Sequence, residues 1–393
     1  MTPSQPSVRI LASTSAAQII ASEVSRRRFL SFIGAAGATG LLAACAGPGT
    51  SADVAASGGP LENGLSIYTW GAYDDPAVLE SFTADLGPNI TLDSYGSNEE
   101  MISKLVAAKG TAGYDIVVPT GNFIPQMIEN DLLLKLNGKL IPNMSKVDPL
   151  YLAQNWDPKN EFSVCKAWGT VGYVYDTTII TRDLVTWGDF IDAAQNEASG
   201  KTSVLDVPVN LAGIYLWSNG IDQNTTDEKD LAAAEKFLVE ELAPHISAFD
   251  SYPGGEAIPQ STNALIQAFN GDARIGILNS ENPDKWKFVV GSPATELWMD
   301  NWCIAKGAPN PEAAHAFINY VLDPEVSLLE LQYIGYHTGT ANIQAAAEAA
   351  GLPMLDLVFF TDDQLAMMET AQLTEAQQRL VDMWNATKAA AGA

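Results

Sequence analysis

The sequence predicts an α/β fold, with strands and helices layered around a largely parallel sheet, in a chain long enough for two domains. Three observations lead there. The chain has 393 residues, more than one ordinary domain needs. Hydrophobic residues make up 47% and charged residues only 17%, a composition that builds a core rather than staying disordered. From residue 65 onward, short β-rich runs alternate with helical patterns, as in strand–helix–strand units.

The elements follow in order. Leu65–Thr69 reads as a first apolar strand, closed by Trp70-Gly71. Pro76 opens a helix to about Leu86, because proline fits the first helical turn. Ile90–Tyr95 is strand-like. Ser97 and Glu100 stand three residues apart in a capping-box pattern, which predicts a helix from about Asn98 to Lys109 and assigns Glu99 and Glu100 to capping. Tyr114–Val118 reads as a buried strand, Pro119-Thr120-Gly121 as a turn, and Phe123–Asn130 as a helix. Ala167–Tyr175 is β-rich and opens a new section. Trp187–Ala198 and Asp227–Leu242 read as helices, Ala264–Phe269 as a short helix, Ala273–Leu278 as a strand and Trp302–Ala305 as another. Pro311–Leu322 and Pro324–Tyr333 are helical, and Thr361–Lys388 is helical throughout. No internal repeat occurs at a fixed period.

The charge is lopsided. Formal net charge is −26, and without residues 1–44 the chain holds 17 basic and 46 acidic residues. Such a body repels nucleic acid and anionic membrane surfaces and attracts cations over long range. The N-terminus reads as an address. Arg26–Arg28 precede an apolar stretch, Phe29–Ala44, that is shorter than a membrane span. Ser25-Arg-Arg-Arg-Phe-Leu30 resembles a twin-arginine export signal, and Leu42-Ala-Ala-Cys45 resembles a lipobox, with Cys45 the lipidated first residue of the mature protein. Residues 1–44 would thus be a signal peptide and residues 45–61 a small, polar, flexible tether. The folded body is expected outside the cytoplasmic membrane, anchored only by its lipid. Cys165 and Cys303 remain; a disulfide would be permitted there, but two buried free thiols are expected.

Motifs for catalysis are missing. There is no GxGxxG after a strand, no GxxxxGK[ST], no HExxH and no GxSxG. The three histidines, at 245, 315 and 337, are scattered, and no Cys/His cluster has metal spacing. No cofactor or metal is expected, and the chain reads as a binder rather than an enzyme. In an open α/β sheet, ligands bind beyond the carboxyl ends of the strands. Two such ends stand out: one carries Trp70 and Tyr73, the other Pro119-Thr120-Gly121-Asn122.

Several segments, in order, resemble the spermidine/putrescine-binding proteins of bacterial ABC importers. They are LSIYTWGAYDDPAVLESF, SYGSNEEMISKL, GYDIVVPTGNFIPQMI, WDPKNEFSVCKAWGTVGYVY, Asn224-Thr-Thr-Asp227, ELWMDNWCIAKGAPNPEAAHAFINYVLDPEV and IGYHTGTAN. The resemblance runs from about residue 64 to 345. It implies a two-lobed fold of the periplasmic-binding-protein type II, with hinge crossovers and a ligand cleft between α/β lobes. Lobe one would be 62–167 plus 301–345, and lobe two 168–300 plus 346–393. The implied function is capture of a small cationic ligand, a polyamine such as putrescine or spermidine, and delivery to permease subunits. The protein is expected to act as a monomer.

Site residues carried over from the resemblance are Trp70 and Tyr73 as stacking aromatics, Trp298 as another, Asp300 as the main amine-binding carboxylate, Tyr336, and Thr120 as a small hydroxyl. A ligand cation over such a ring gains roughly 0.5–2 kcal/mol. Other positions depart from the family pattern. Asn122 stands where an aromatic is expected and Leu278 where a Trp is. In lobe two, Asp206 retains one carboxylate while Asn210 takes the place of a second. These departures leave open another small amine or an amino-acid-like solute on the same scaffold. The rival from another class is a secreted hydrolase using acidic residues. With Asp300 and Asp206 as the two carboxylates, a dication is expected to suit the site better than a trication, unless Glu281 joins it.

Overall fold

The computed structural model describes residues 9–11 and 56–392. Apart from 9–11, the export signal expected over 1–44 falls outside the described residues, as do Cys45 and most of the tether. The first half contains strands Arg9–Leu11 (β1), Gly64–Trp70 (β2), Asn89–Tyr95 (β3), Ile116–Val117 (β4) and Leu133–Leu134 (β5). Its helices are Pro76–Leu86 (α1), Asn98–Ala108 (α2) and Ile124–Glu129 (α3). A long strand, Ser163–Asp176 (β6), leads into the second half. There Trp187–Gln195 (α4), Thr202–Leu205 (β7), Pro208–Ser218 (α5), Glu228–Phe237 (α6), Ile246–Asp250 (β8), Leu265–Phe269 (β9), Asn270–Leu278 (α7) and Trp286–Val289 (β10) follow one another. A second long strand, Thr295–Ala305 (β11), returns to the first half. Pro311–Val321 (α8), Pro324–Ile334 (α9), Ile343–Ala349 (α10), Asp362–Leu365 (α11), Met368–Thr370 (β12) and Gln377–Ala391 (α12) complete the chain.

The strands form one sheet in the order β1-β3-β2-β4-β11-β6-β9-β7-β8, with β5 and β12 paired to β11 and β10 paired to β6. β2 runs parallel to β3 and β4, and β7 runs parallel to β8 and β9. Between these two parallel blocks, β6 and β11 are antiparallel to each other. Residues 163–170 of β6 pair with β11, and residues 171–175 pair with β9. β6 therefore belongs to both halves, and β11 runs beside it on the return from the second half to the first. The result is the two-lobed α/β architecture, with β6 and β11 as the crossovers. All 14 residues of β6 are buried, as expected of a strand covered on both faces.

Local sequence explains the helix ends near the crossovers. Asp75 and Asp323 each cap a helix whose first residue is proline, accepting hydrogen bonds from Ala77 N and Glu325 N. Ser97 caps α2 by accepting from Glu100 N at 3.1 Å, while Glu100 reaches back to Gly96 N at 2.9 Å. Gly335, at φ 80°, ends α9 in the left-handed region that side chains disfavour, and turns the chain so that Tyr336 faces inward.

Each half has its own core. Leu65, Phe82, Ile116, Trp302 and Phe317 pack together in the first. Tyr173, Trp187, Phe190, Trp217 and Leu231 pack in the second, where Leu380 and Met383 of α12 join them. The intervening tail is divided: Phe360, Leu365 and Met368 pack against the first half, around Trp168 and Met299. Cys165 and Cys303 are buried free thiols.

Three expectations are corrected. Leu265–Phe269 is a strand and Asn270–Leu278 a helix, the reverse of the assignment from sequence. Both runs are short and apolar, so periodicity could not separate them; pairing of β9 with β6 and β7 decided the first. Thr361–Lys388 is not one helix but α11, β12 and most of α12. Met368–Thr370 leaves the helical pattern because it pairs in parallel with the beginning of β11.

Candidate functional site

The two halves meet over one face of β11. Side chains alternate along a strand, so Glu296, Trp298 and Asp300 lie on the same face. Across the ladder, Trp298 stands opposite Gly169 and Asp300 opposite Ala167. These small partners leave room. A Cβ on Gly169 would come within 2.4 Å of Asn270 Oδ1, 2.6 Å of Trp298 and 3.0 Å of Tyr336. The aromatic layer thus lies directly on the crossover backbone.

Asp300 is the centre of the site and is 6% exposed. Thr120, at the end of the segment after β4, forms an isolated bridge with it and donates Oγ1–H to Asp300 Oδ1 at 2.7 Å. Asn98, at the start of α2, fixes Thr120 in turn, donating Nδ2–H to its Oγ1 at 3.0 Å and accepting from its N–H at 3.0 Å. Burial pushes the Asp300 carboxyl up to about 6, against the opposing pull of Thr120, Tyr73 and Lys166. Tyr73 is buried beside it; burial, and then the Asp300 charge, hold its hydroxyl well above the ordinary phenol value, and that hydroxyl has no hydrogen-bond partner.

Tyr336 completes the aromatic wall. Its ring lies edge-on to Trp298 at 4.8 Å and to Tyr73 at 6.3 Å. Its hydroxyl donates to Asp272 Oδ1 at 2.6 Å and accepts from Asp272 N at 3.2 Å. The Trp298 indole N–H is buried without a partner. The structure therefore brings together Tyr73, Thr120, Trp298, Asp300 and Tyr336.

The other expected residues are placed differently. Trp70 is half-buried at the end of β2, edge-on to Tyr95 at 4.7 Å, and its indole donates to Val118 O at 3.2 Å. Asn122 is half-buried in the turn beside Thr120, with its Oδ1 unpartnered. Asp206 accepts from Lys388 Nζ at 2.8 and 3.0 Å and from Trp384 Nε1 at 2.8 Å, so α12 has already claimed both its oxygens.

Further buried charged groups stand around the site. Glu296 is 7% exposed, accepts from Asn210 Nδ2, and is pushed by burial up to about 7. Asp272, in the first turn of α7, is likewise pushed up to about 7 by burial. Lys166 is held by Asp74 at 2.7 Å and lies 3.8 Å from Glu330, with its ammonium 4.6 Å from the centre of the Tyr73 ring. Glu296 had a legible signal, since Glu-x-Trp-x-Asp alternates with the strand period.

A separate cavity of about 450 Å³ opens on the other face of the crossover pair. Trp168, Tyr151, His337, Phe359 and Phe360 line it. Trp168 alternates with Ala167 and Gly169, so this cavity and the Asp300 face are on opposite sides of the sheet. Burial lowers the His337 imidazole to about 4, which keeps it neutral there. Among the described residues no helix is long and apolar enough to cross a membrane, and no cluster of His, Cys, Asp or Glu has the form of a metal site.

The comparisons agree with this architecture. The spermidine/putrescine-binding periplasmic protein of Escherichia coli is 30% identical over 277 residues, covering 70% of this chain and 77% of that protein. The crystal structure of the spermidine/putrescine ABC transporter substrate-binding protein PotD from Streptococcus pneumoniae superimposes with a TM-score of 0.70 at 28% identity, covering 84% of this chain and all of that one. The TpPotD lipoprotein of Treponema pallidum superimposes with a TM-score of 0.72 at 26% identity, covering 82% and 98%. Residues 77–356 match the family described as bacterial extracellular solute-binding protein, a solute-binding transport family, and this chain belongs to it.

Proposed function

We propose that this protein is the extracytoplasmic receptor of an ABC importer, capturing a small organic polyamine and handing it to the permease without chemistry. The observation that carries this is Asp300. It is a carboxylate buried among Tyr73, Trp298 and Tyr336, held by the neutral Thr120 hydroxyl rather than by an ion pair. A buried anion is costly unless a cation meets it, and aromatic faces and edges around it suit an ammonium on a methylene chain. The relatives named for spermidine and putrescine support the same ligand class. The buried Lys166 ammonium is engaged by Asp74 and Glu330 and is not offered to a ligand carboxylate, which argues against an amino acid.

The mechanism is lobe closure on the ligand. Residues 62–167 plus 301–345 would form lobe one and 168–300 plus α12 lobe two, hinged at β6 and β11, with Phe360, Leu365 and Met368 of the tail packed on the lobe-one side rather than in lobe two. Contacts from both lobes to one ligand stabilise the closed state relative to the open one. Export through the twin-arginine signal and anchoring at Cys45 fit a receptor that works beside its permease, as a monomer.

Calorimetric titration with putrescine, spermidine and γ-aminobutyrate tests the ligand class. Binding of an amine and not of the amino acid is expected; tighter binding of the amino acid would overturn the assignment. For the anchor, Cys45→Ala should move the protein from the membrane fraction to the soluble one, and unchanged fractionation would remove Cys45 from that role.

A further inference from the structure

We propose that Glu296, held by Asn210, is a second ammonium-binding point that works with Asp300, so that the site takes a linear α,ω-diamine lying along Trp298. The inference rests on the amine reading above and specifies the shape of the amine.

The geometry comes from β11. Glu296, Trp298 and Asp300 occupy alternate positions of one strand and so share a face. Four residues of strand place the Cα atoms of the two acids roughly 13 Å apart. An apolar ring stands between two carboxylates, which is the pattern a methylene chain with a positive group at each end would match. Both carboxylates are buried, at 7% and 6% exposure, and both are held by neutral donors, Asn210 Nδ2 and Thr120 Oγ1. Burial is what chiefly raises the Glu296 carboxyl, and the Asp300 charge adds to it in the same direction. Two buried carboxylates on one face, each without a cation of its own, call for cations, and a dication supplies both at once.

The two acids also have their supports in different halves. Thr120 and Asn98 belong to the first half. Asn210 lies in the first turn of α5 in the second half, where Gln267 of β9 fixes it: Gln267 Nε2 donates to Asn210 O at 2.9 Å and Gln267 Oε1 accepts from Leu205 N at 3.0 Å. A diamine touching both acids therefore ties the halves together. Asp206, the acid expected to supply the second charge, is occupied by Lys388. The second available carboxylate therefore stands on the crossover strand, and an amide in the first turn of α5, Asn210, holds it.

The test compares putrescine with butylamine, a monoamine on a chain of the same length, in calorimetric titrations of the wild type and Glu296→Gln. The variant should weaken putrescine by about 30-fold or more while changing butylamine by less than about threefold. An equal loss for both amines would make Glu296 a structural residue, and unchanged putrescine affinity would remove it from the site; either overturns the proposal and leaves the amine reading standing. Binding of no amine by the wild type would defeat that reading and the proposal with it. Two further measurements do not depend on the glutamine variant. Across diamines of increasing length the wild type should show an affinity maximum, and Glu296→Asp, with a shorter arm, should move that maximum to a longer diamine. Diamines no tighter than matched monoamines at every length, or a maximum that stays put in Glu296→Asp, would overturn it.

Discussion

Asp300 and Asp206 are two aspartates expected to face the same ligand, and the fold has treated them in opposite ways. Asp300 lies on the crossover strand, buried, with a threonine hydroxyl as its hydrogen-bond partner. Asp206 lies between β7 and α5, half-buried, with Lys388 and Trp384 of the C-terminal helix against it. The difference shows what makes an acid available to a cationic ligand. Residue type and cleft position are not enough; the protein's own nearby cation must also be engaged by other acids, as Lys166 is by Asp74. A charge already paired gains little from a second cation, whereas a buried charge held only by neutral donors gains much.

The largest effect should come from removing the available charge. Asp300→Asn keeps the shape and the bond to Thr120 but leaves the ammonium desolvated beside a neutral amide. Amine affinity should fall by about 2–5 kcal/mol. Calorimetry on the folded variant checks this, and a loss below tenfold would mean that Asp300 is no more available than Asp206.

The second effect sharpens the comparison through pH. Asp300 is raised to about 6, and Glu296 and Asp272 to about 7, all chiefly by burial. An ammonium pairs with the ionised form, so amine affinity should rise as pH increases from about 5 to 8. Stability without ligand should move the other way. A carboxyl whose folded value lies above its unfolded value binds more protons when folded, so its contribution is greatest at low pH and is lost as pH climbs through about 4 to 7. The Asp300→Asn protein should therefore gain stability relative to the wild type across that window, while losing its ligand. Denaturant titrations of both proteins at a series of pH values would reveal this; parallel curves would show that Asp300 carries no burial penalty.

How much of this was legible depends on the range of the signal. Proline after aspartate marked the starts of α1 and α9, because the cap is local. Trp298, Asp300, Thr120 and Tyr336 were reachable from ordered resemblance, and the structure gathers them. A strand read from Trp302 leaves Glu296 out, whereas β11 begins at Thr295. Had the strand been extended backwards, period two would have placed Glu296 with Trp298 and Asp300. A strand over Ala273–Leu278 leaves Asp272 in a connection, whereas α7 begins at Asn270 and places it in a helical first turn. Asp206 shows the real limit. Its partner Lys388 is 182 residues away, and nothing in the pattern around either residue announces the contact.

The smallest expected effect concerns that pair. Lys388 and Asp206 are each about a quarter exposed, so their bond is neither a fully screened surface pair nor a fully buried one. Asp206→Asn should cost about 1 kcal/mol of stability, because α12 loses a charge-assisted contact with the start of α5. It should leave amine affinity within about twofold, since the acid was not available to begin with. Lys388→Ala gives the reciprocal view: it frees Asp206 from its cation while keeping the carboxylate in place. If availability is what matters, this variant should bind a triamine better relative to a diamine than the wild type does, because a third charge has become usable. Titrating putrescine and spermidine into both variants decides it. A large affinity loss in Asp206→Asn without loss of stability would return Asp206 to the site, and would show that a half-buried ion pair can open for a ligand as readily as an unpaired acid can receive one.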